Sequence, residues 1–292
     1  MAGKNLPLWG AEFSKQAYDL SQIERAAKFV ATIDQHGRPH VTFIASNRAK
    51  TPTQVVWGQF TEGTSKENVL HNPKQGILMM TAEMPFRFIQ AKIDFEYLKR
   101  EGEDVEKFSR MEFIRYNTYM NIHTAYYNKV KAVTPVRNLN LLGILTGLLV
   151  NLIGSGGAKL KTAEKKLPRV VSNLFNAKIG PKFLCYLDPT DGYPVIIPCF
   201  QIRAPDPSRL VFTLSQFKAD LLQIPIDSHV AVFAMDFETV STHINGIFKG
   251  FKKFRGIKYG IIEIDEVYNT MPPLAGIIYP KIQTRPKITV FE

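Results

Sequence analysis

The stretch Gly63-Thr64-Ser65-Lys66 is the part of the sequence whose residue types and spacing point most directly to chemistry. A lysine, hydroxyl groups and free backbone N–H groups at the start of a helix form a good binding site for a phosphate. Thr64 also stands three residues before Glu67, the spacing of a capping box, so a turn that caps a short helix explains part of the pattern without a ligand. The residues alone leave both interpretations open.

The composition fits a globular protein with an anionic partner. The chain has 292 residues, 45% of them hydrophobic, and a formal net charge of +11, which favours phosphorylated cofactors, nucleic acid or acidic lipids. The cations are scattered, without a run of five or six, so we expect no nucleic acid partner. Cys185 and Cys199 lie inside apolar runs, as expected of buried thiols in a reducing compartment. The first residues lack the long apolar region of a secretory signal, so we expect a cytoplasmic protein.

One apolar segment, residues 139–153, reads LNLLGILTGLLVNLI and lies in a stretch without charged residues. It is short for a bilayer span and is interrupted by Asn140, Gly143, Gly147 and Asn151. We therefore expect a buried or interface helix rather than contact with a membrane surface. Gly143 and Gly147 are four residues apart, a spacing that lets one helix face approach a partner closely.

The sequence also contains an internal repeat. Residues 29–46 (FVATIDQHGRPHVTFIAS) and 183–200 (FLCYLDPTDGYPVIIPCF) share an apolar strand, an acidic turn with Gly and Pro, and a second apolar strand. Further on, Lys66 corresponds to Lys218, and the offset drifts by only two or three residues over the whole stretch. Two copies of one fold explain this pattern better than one large domain.

Within each copy the pattern is mostly that of β-strands. In the first copy, segments rich in β-branched and aromatic residues, bounded by turns, predict strands at 28–34, 39–45, 53–60, 76–82, 86–98 and 126–133. Helices are predicted at 21–29, 102–116 and, in the second copy, 167–176, with a late strand at 259–269. Consecutive strands joined by hairpins indicate a mainly β fold, a β-barrel with added helices.

We predict three parts. Residues 1–137 form a first barrel domain with the proposed cofactor site, residues 138–168 form an apolar helix and a Gly/Lys-rich linker, and residues 169–292 form a second barrel domain with a degenerate site.

The order of these parts resembles the pyridoxamine 5'-phosphate oxidase-like family of FMN-binding split β-barrels. The features that carry the resemblance are the strand, GRPHV turn and strand, followed by VVWGQFTEGTSKENVLHNP and a further strand. The resemblance is clear over residues 26–81 and looser over 86–133, and it returns at 183–237 and 260–268. It implies two tandem split β-barrel domains that form an internal pseudo-dimer.

The resemblance also implies roles for particular residues. In this family the lysine or arginine and the hydroxyl of the turn hold the flavin phosphate, so Lys66 and Ser65, helped by Thr64, would do so here. Gln59 and Thr61 would line the flavin ring or the ribityl chain. Relatives place the flavin between two barrels, which suggests Arg87 and Gln90, after the helix, as further candidates.

Two departures from the family pattern limit what it implies. The oxidase carries an arginine and a lysine at places that fall near Thr42 and Asn47, neither of which is cationic, so we do not predict pyridoxamine phosphate oxidation. The second copy keeps Lys218 in SQFKADLLQIP but lacks the glycine and the Ser-Lys pair. We therefore expect one functional site per chain, with the second barrel as its internal partner.

The resulting expectation is an FMN-binding flavoprotein, an oxidoreductase acting on a small molecule with an unidentified electron donor. A deazaflavin-dependent reductase, a non-catalytic flavin- or haem-binding protein and an interaction protein with an empty barrel remain as alternatives. His123 lies among tyrosines that could stack on a flat cofactor or pack at an interface, and we expect packing. We expect no metal site, and a homodimer is left open.

Overall fold

The computed structural model describes residues 6–59, 63–111, 122–177, 180–236, 240–270 and 276–281. The α-helices of these residues are α1 Lys15–Ser21, α2 Thr64–His71, α3 Glu103–Arg110, α4 Leu141–Gly154, α5 Arg169–Asn176 and α6 Lys218–Leu221. The strands of the first half are β1 Ala26–Ile33, β2 Pro39–Phe43, β3 Arg48–Thr51, β4 Gln54–Gln59, β5 Lys74–Thr81, β6 Arg87–Lys99, β7 Thr124–Val133 and β8 Arg137–Asn138. Those of the second half are β9 Lys182–Leu187, β10 Pro194–Pro198, β11 Arg203–Asp206, β12 Arg209–Thr213, β13 His229–Met235, β14 Ser241–Phe254, β15 Ile257–Asn269 and β16 Gly276–Tyr279.

The strands form two antiparallel sheets with the same topology. The first has the order β2-β1-β5-β6-β7-β4-β3 and the second has the order β10-β9-β13-β14-β15-β12-β11. Adding eight to each strand number of the first sheet gives the second. The sheets differ in their last strand, since β8 pairs with β6 whereas β16 pairs with β15. The mainly β fold and the two tandem domains predicted from the sequence are confirmed.

Equivalent residues of the two copies occupy equivalent environments. Gly37 and Gly192 both adopt a positive φ, of 73° and 75°, in the first hairpin of each copy, a conformation that favours glycine. Lys28 and Lys182 are both 1% exposed, and each ammonium donates a hydrogen bond to a backbone carbonyl. Burial lowers the pKa of both side chains to about 8. The duplication thus extends to unusual side chains.

The two sheets pack against each other as the halves of a symmetric dimer do. Phe29 and its equivalent Phe183 pack against each other with ring centroids 4.1 Å apart and planes tilted by 41°, and such contact between equivalent residues is expected at a two-fold axis. The hairpins reach across the interface in both directions. Arg38 forms an ion pair with Glu266 at 3.5 Å, and Tyr193 donates a hydrogen bond to Asp94 at 2.7 Å. The chain is therefore its own pseudo-dimer.

The helix predicted at 21–29 is wrong in position. The observed helix α1 ends at Ser21 and begins after Ser14, whose side chain accepts a hydrogen bond from the Ala17 N–H. Residues from Ala26 onward belong to β1, where Phe29 is fully buried. Burial of these residues between sheet neighbours outweighs the helical spacing in the sequence. The predicted helix at 167–176 is confirmed as α5.

Helix α4 packs one face against the second copy. A Cβ atom at Gly147 would lie 2.2 Å from the Ser215 hydroxyl oxygen, so this position brings the helix close to the sheet. Asn151 donates a hydrogen bond to the Gln201 carbonyl. The close approach predicted from the spaced glycines is therefore made to the second copy of the same chain. In the part of the chain that the structure describes, the helices are too short or too polar to cross a lipid bilayer.

Candidate functional site

Helix α2 begins one residue earlier than a capping box on Thr64 and Glu67 requires. Its N-cap is Gly63, Thr64 is already helical, and no side-chain cap is formed among the described residues. Glu67 is exposed instead of folding back on the helix start. The capping box expected at Thr64 and Glu67 is therefore wrong, and the first N–H groups of α2 are not satisfied by either side chain.

Two hydroxyl contacts fix α2 on the first sheet. The Ser65 Oγ lies 2.6 Å from the Thr42 Oγ1 on β2, and Ser65 is 1% exposed. One turn later, the Asn68 amide donates a hydrogen bond of 2.9 Å to the Thr32 hydroxyl on β1. The structure thus brings the predicted residues Ser65 and Thr42 into direct contact and orients the helix start.

A cavity of about 300 Å³ opens beside this helix. That size is at the lower end for sites that hold small molecules. It lies where the ends of β4, β6 and β7 meet α2. Its lining consists of Gln59, Lys66, Glu67, Leu70, Leu98, Arg100, His123, Thr124 and Tyr126.

The floor of the cavity is rigid and aromatic. The Tyr126 ring stacks on the buried Trp57 ring with centroids 4.0 Å apart and an interplanar angle of 5°. The Tyr126 hydroxyl donates a hydrogen bond of 2.8 Å to the Gln59 Oε1. The Trp57 indole N–H is bound in turn by Gln75 at 3.1 Å. A side chain held in this way is oriented before any ligand arrives.

The cavity carries opposing charges with a positive excess. Lys66 and Arg100 contribute two cations to the lining, and Glu67 contributes one carboxylate. The charge of Lys66 also affects the buried His40. Burial is the main cause that lowers the pKa of His40 to about 4; the charge of Asp34 opposes this effect, and the charges of Lys66 and Arg38 add to it. An anionic ligand at this place would reduce the repulsion between the two cations.

The second copy contacts β2 near α2, through His40. His40 on β2 lies against His243 of β14 with ring centroids 4.4 Å apart, and against Tyr268 of β15 at 5.8 Å. Both ring nitrogens of His243 are buried without a hydrogen-bond partner among the described residues. Burial also lowers the pKa of His243 well below its usual value. Residues of both copies therefore meet next to α2.

Two further residues predicted for the cofactor site are Asn47 and Thr61. Asn47 follows Ser46, whose hydroxyl binds the backbone of Gly58 at the end of β4. Asn47 is fully buried, yet neither of its side-chain amide atoms has a partner among the described residues. Asn47 is not among the residues that line the cavity. Thr61 lies outside the described residues.

Arg87 and Gln90 do not line the cavity. Arg87 is exposed at the start of β6, where it pairs with Asn138 of β8. The Gln90 amide donates a hydrogen bond of 2.7 Å to the Ile196 carbonyl of the second copy, and its oxygen accepts one from Arg137. By strand register, Gln90 is the equivalent of His243. Gln90 pairs with Leu78, which pairs with Phe29. His243 pairs with Phe233, which pairs with Phe183, the equivalent of Phe29.

The corresponding place in the second copy is filled by the chain itself. Phe217 stands where Ser65 does, and Asp220 where Asn68 does. Arg137 of the first copy forms a bidentate ion pair with Asp220, at 2.8 Å and 2.9 Å. Its guanidinium carbon lies 5.3 Å and 5.2 Å from the ring centroids of Phe88 and Phe217. Helix α4 covers the adjoining strand β12.

Sequence reasoning missed part of the cavity. Arg100, Leu98 and Thr124 belong to no local motif, and strand pairing alone brings them to α2. Tyr126 and His123 were expected to pack rather than to face a ligand site, and the structure shows that both line the cavity while Tyr126 also packs on Trp57. Among the described residues, no group of three histidine, cysteine or acidic side chains is arranged to hold a metal ion.

Comparison with known proteins gives matches in structure. No family model matches the chain, and no curated protein matches it significantly. An FMN-binding protein from Syntrophomonas wolfei subsp. wolfei matches at 12% identity and a TM-score of 0.34, over 42% of this chain and 89% of its own. HupZ from Group A Streptococcus matches at 18% identity and a TM-score of 0.35, over 44% of this chain and 99% of its own. An FAD-binding protein from Mesorhizobium loti matches at 12% identity and a TM-score of 0.34, over 44% of this chain and 97% of its own.

Less than half of this chain covers most of the length of each of these structures. These matches are in fold, to an FMN-binding and an FAD-binding protein among others, and the tandem form predicted from the sequence is confirmed by the two sheets of equal topology. The matches concern the fold of one copy.

Proposed function

We propose that the cavity beside α2 binds FMN and that the chain is a flavoprotein with one site. The observation that carries this proposal is the position of Lys66, which lines the cavity at a helix start held in place by the contact between Ser65 and Thr42. A cation and oriented backbone N–H groups at one place suit a phosphate.

The phosphate end of the ligand would be held by Lys66, with Arg100 as a second cation. The first backbone N–H groups of α2 add the positive end of the helix dipole. Ser65 is engaged with Thr42, so its hydroxyl would act mainly by orienting the helix start. Thr64 is partly exposed at the same turn and can offer its own hydroxyl. The carboxylate of Glu67 opposes binding and limits the affinity.

The ring end would lie along the wall built by Tyr126 and Gln59. A flat aromatic surface offers stacking contact, and the Gln59 amide offers hydrogen bonds to a polar ring edge. When bound, a flavin supplies hydride or electron transfer, so the protein needs to position the ring and the substrate. Leu70 and Leu98 add apolar lining.

In this proposal residues 1–137 carry the site and residues 169–292 serve as its inner partner. His243 and Tyr268 of the second copy supply part of the surroundings. Cys185 and Cys199 are both free and buried, which supports a cytoplasmic location. An oxidoreductase acting on a small molecule is the activity we propose, and a deazaflavin reductase or a haem-binding protein would use the same fold.

The test of the proposal is a comparison of FMN with riboflavin, which is the same molecule without the phosphate. We expect FMN to bind more tightly by about 10- to 150-fold, since charge-assisted hydrogen bonds contribute about 1.5–3 kcal/mol. Fluorescence titration of the full chain measures both affinities. Equal affinities, or no binding of either, would contradict the proposal.

The absorbance spectrum of the protein as purified separates the alternatives. A flavin spectrum that bleaches on addition of reduced nicotinamide supports an oxidoreductase, and one that does not supports a storage or sensing protein. A haem or deazaflavin spectrum would reject FMN as the cofactor.

A further inference from the structure

Helix α4 buries Ile144 in the apolar core, packs the partly buried Leu148 against it, and exposes the leucines of its opposite face. Its inner face packs against the second copy through Gly147, Asn151 and Gly154, all buried. The leucines of the opposite face are largely exposed: Leu142 by 76%, Leu145 by 57% and Leu149 by 60%. We call these three residues the leucine face. A helix on the surface of a globular protein normally exposes polar side chains, so the leucine face lacks a partner within the described residues.

The end of α4 is bordered by exposed cations. The chain that follows the helix runs beside the hairpin between β14 and β15, because a Cβ atom at Gly157 would lie 3.3 Å from Phe254 and 3.5 Å from Arg255. Seven exposed cations, which we call the basic rim, belong to these two segments: Lys159, Lys161, Lys165, Lys252, Lys253, Arg255 and Lys258.

Acidic residues are scarce around this surface. Residues 139–163 contain no acidic side chain, and neither do residues 241–262. Glu164 is the acidic residue within the linker part of the rim, where its carboxylate lies 3.8 Å from the Lys166 ammonium and accepts a hydrogen bond from Tyr279. The basic rim therefore presents a local excess of positive charge next to the leucine face.

We propose that the leucine face and the basic rim together bind the surface of an anionic lipid bilayer. An apolar helix face inserts among the lipid headgroups, and lysines beside it contact acidic headgroups. A helix of 14 residues is about 21 Å long, which is too short to span the hydrocarbon core. It would lie along the surface, with the rest of the chain above it.

The surface fits a bilayer better than two other partners. A second copy of the chain, joined by a two-fold axis through this surface, would bring two basic rims together and be opposed by their repulsion. A nucleic acid would satisfy the basic rim but would leave three exposed leucines against phosphates and sugars. Lipid satisfies both features at once.

The experiment is flotation of the full chain with phosphatidylcholine vesicles that either contain or lack phosphatidylserine. We expect binding to the anionic vesicles, weak binding to the neutral ones, and release as the salt concentration rises. Replacing the leucine face (Leu142→Ser, Leu145→Ser and Leu149→Ser) should lower the partition coefficient at least about tenfold. Replacing three cations of the basic rim (Lys252→Gln, Lys253→Gln and Lys258→Gln) should lower it roughly a hundredfold.

The matched control replaces two exposed apolar residues elsewhere, Leu8→Ser and Met84→Ser, which are 85% and 71% exposed. Its binding should equal that of the unaltered chain. Circular dichroism of each variant checks that the fold is retained. Vesicle binding that is absent, or unchanged by the leucine substitutions, would overturn the proposal. A dimer in sedimentation that dissociates in the leucine variant would overturn it in favour of a second copy, and DNA binding without vesicle binding would do so in favour of nucleic acid.

Discussion

The turn at α2 and the turn at α6 occupy the same place in two copies of one fold, yet their surroundings differ. At α2, Ser65 contacts Thr42 and Lys66 lines a cavity. At α6, Phe217 is buried in an apolar cluster and Asp220 is neutralised by Arg137. At the first turn, the charge of Lys66 lies beside a cavity. At the second, the charge of Asp220 is paired with Arg137 from the first copy.

This difference indicates how a duplicated chain can keep one site. A carboxylate at position 220 repels an anion, and the ion pair with Arg137 fills the space next to it. The second copy can then serve packing, through α4, rather than binding. The two turns are therefore expected to respond differently to the same kind of substitution.

The largest effect is expected from Asp220→Ala. Removal of this carboxylate leaves Arg137 buried without its partner, since their side chains are 4% and 12% exposed. Breaking a buried ion pair in this way costs about 3–5 kcal/mol of stability. Urea unfolding followed by circular dichroism measures the loss.

The control for Asp220→Ala is Glu106→Ala, because Glu106 forms an exposed ion pair with Arg110. That change should cost less than about 1 kcal/mol. If the two substitutions have similar effects, Asp220 does not hold the second turn in place.

The pH dependence of stability tests the histidine pair between the copies. Burial lowers the pKa of His40 from 6.5 to about 4. Between pH 4 and 6.5, His40 is therefore protonated in the unfolded chain and neutral in the folded chain. Stability is therefore present above pH 6.5 and is lost as the pH falls toward 4, by about 3 kcal/mol from His40. Denaturation midpoints measured across this range should fall with the pH.

Substitution distinguishes His40 from the other titrating groups. His40→Gln should reduce the dependence between pH 6.5 and 4, and combining it with His243→Gln should reduce it further, because burial holds both rings neutral. His36→Gln, at an exposed position, is the control. A flat profile in the unaltered chain would show that the pair is not buried as described.

Gly76→Ala tests the contact between the sheets. A Cβ atom at Gly76 would lie 2.1 Å from the backbone oxygen of Pro194, and backbone atoms cannot move aside as a flexible side chain does. We expect a loss of stability of about 2–3 kcal/mol, toward the upper end for overpacking. Thermal unfolding measures it, and a neutral outcome would contradict the close approach of β5 and β10.

The equivalent position of the second copy provides the control. Ala231 occupies the place of Gly76 by strand register and already carries a Cβ atom. Ala231→Gly should therefore cost about 1 kcal/mol, mainly through chain entropy.

Local sequence signals were sufficient for much of the fold. Alternation of apolar residues located β1, β4 and β5, and the repeat offset found the duplication. The turn at Ser65 and Lys66 was found from its own residue types. These features depend on residues that are close in sequence, where periodicity and turn chemistry act.

The rest depends on contacts between distant residues. Arg137 and Asp220 are 83 positions apart, and no pattern in the sequence links them. Arg100 and His123 reach the cavity through strand pairing that a local motif does not specify. The helix predicted at 21–29 failed because sheet packing of Phe29 overrode its helical spacing.

The most direct test of the account is the affinity for FMN of Lys66→Ala beside that of the matched variant Lys218→Ala, with riboflavin as a second ligand. The account predicts that Lys66→Ala weakens FMN binding by about 1.5–3 kcal/mol, because a charge-assisted hydrogen bond to the phosphate is lost, and leaves riboflavin binding unchanged. Lys218→Ala should alter neither. Equal effects of the two substitutions on FMN, or no effect of Lys66→Ala, would contradict a single phosphate site at α2.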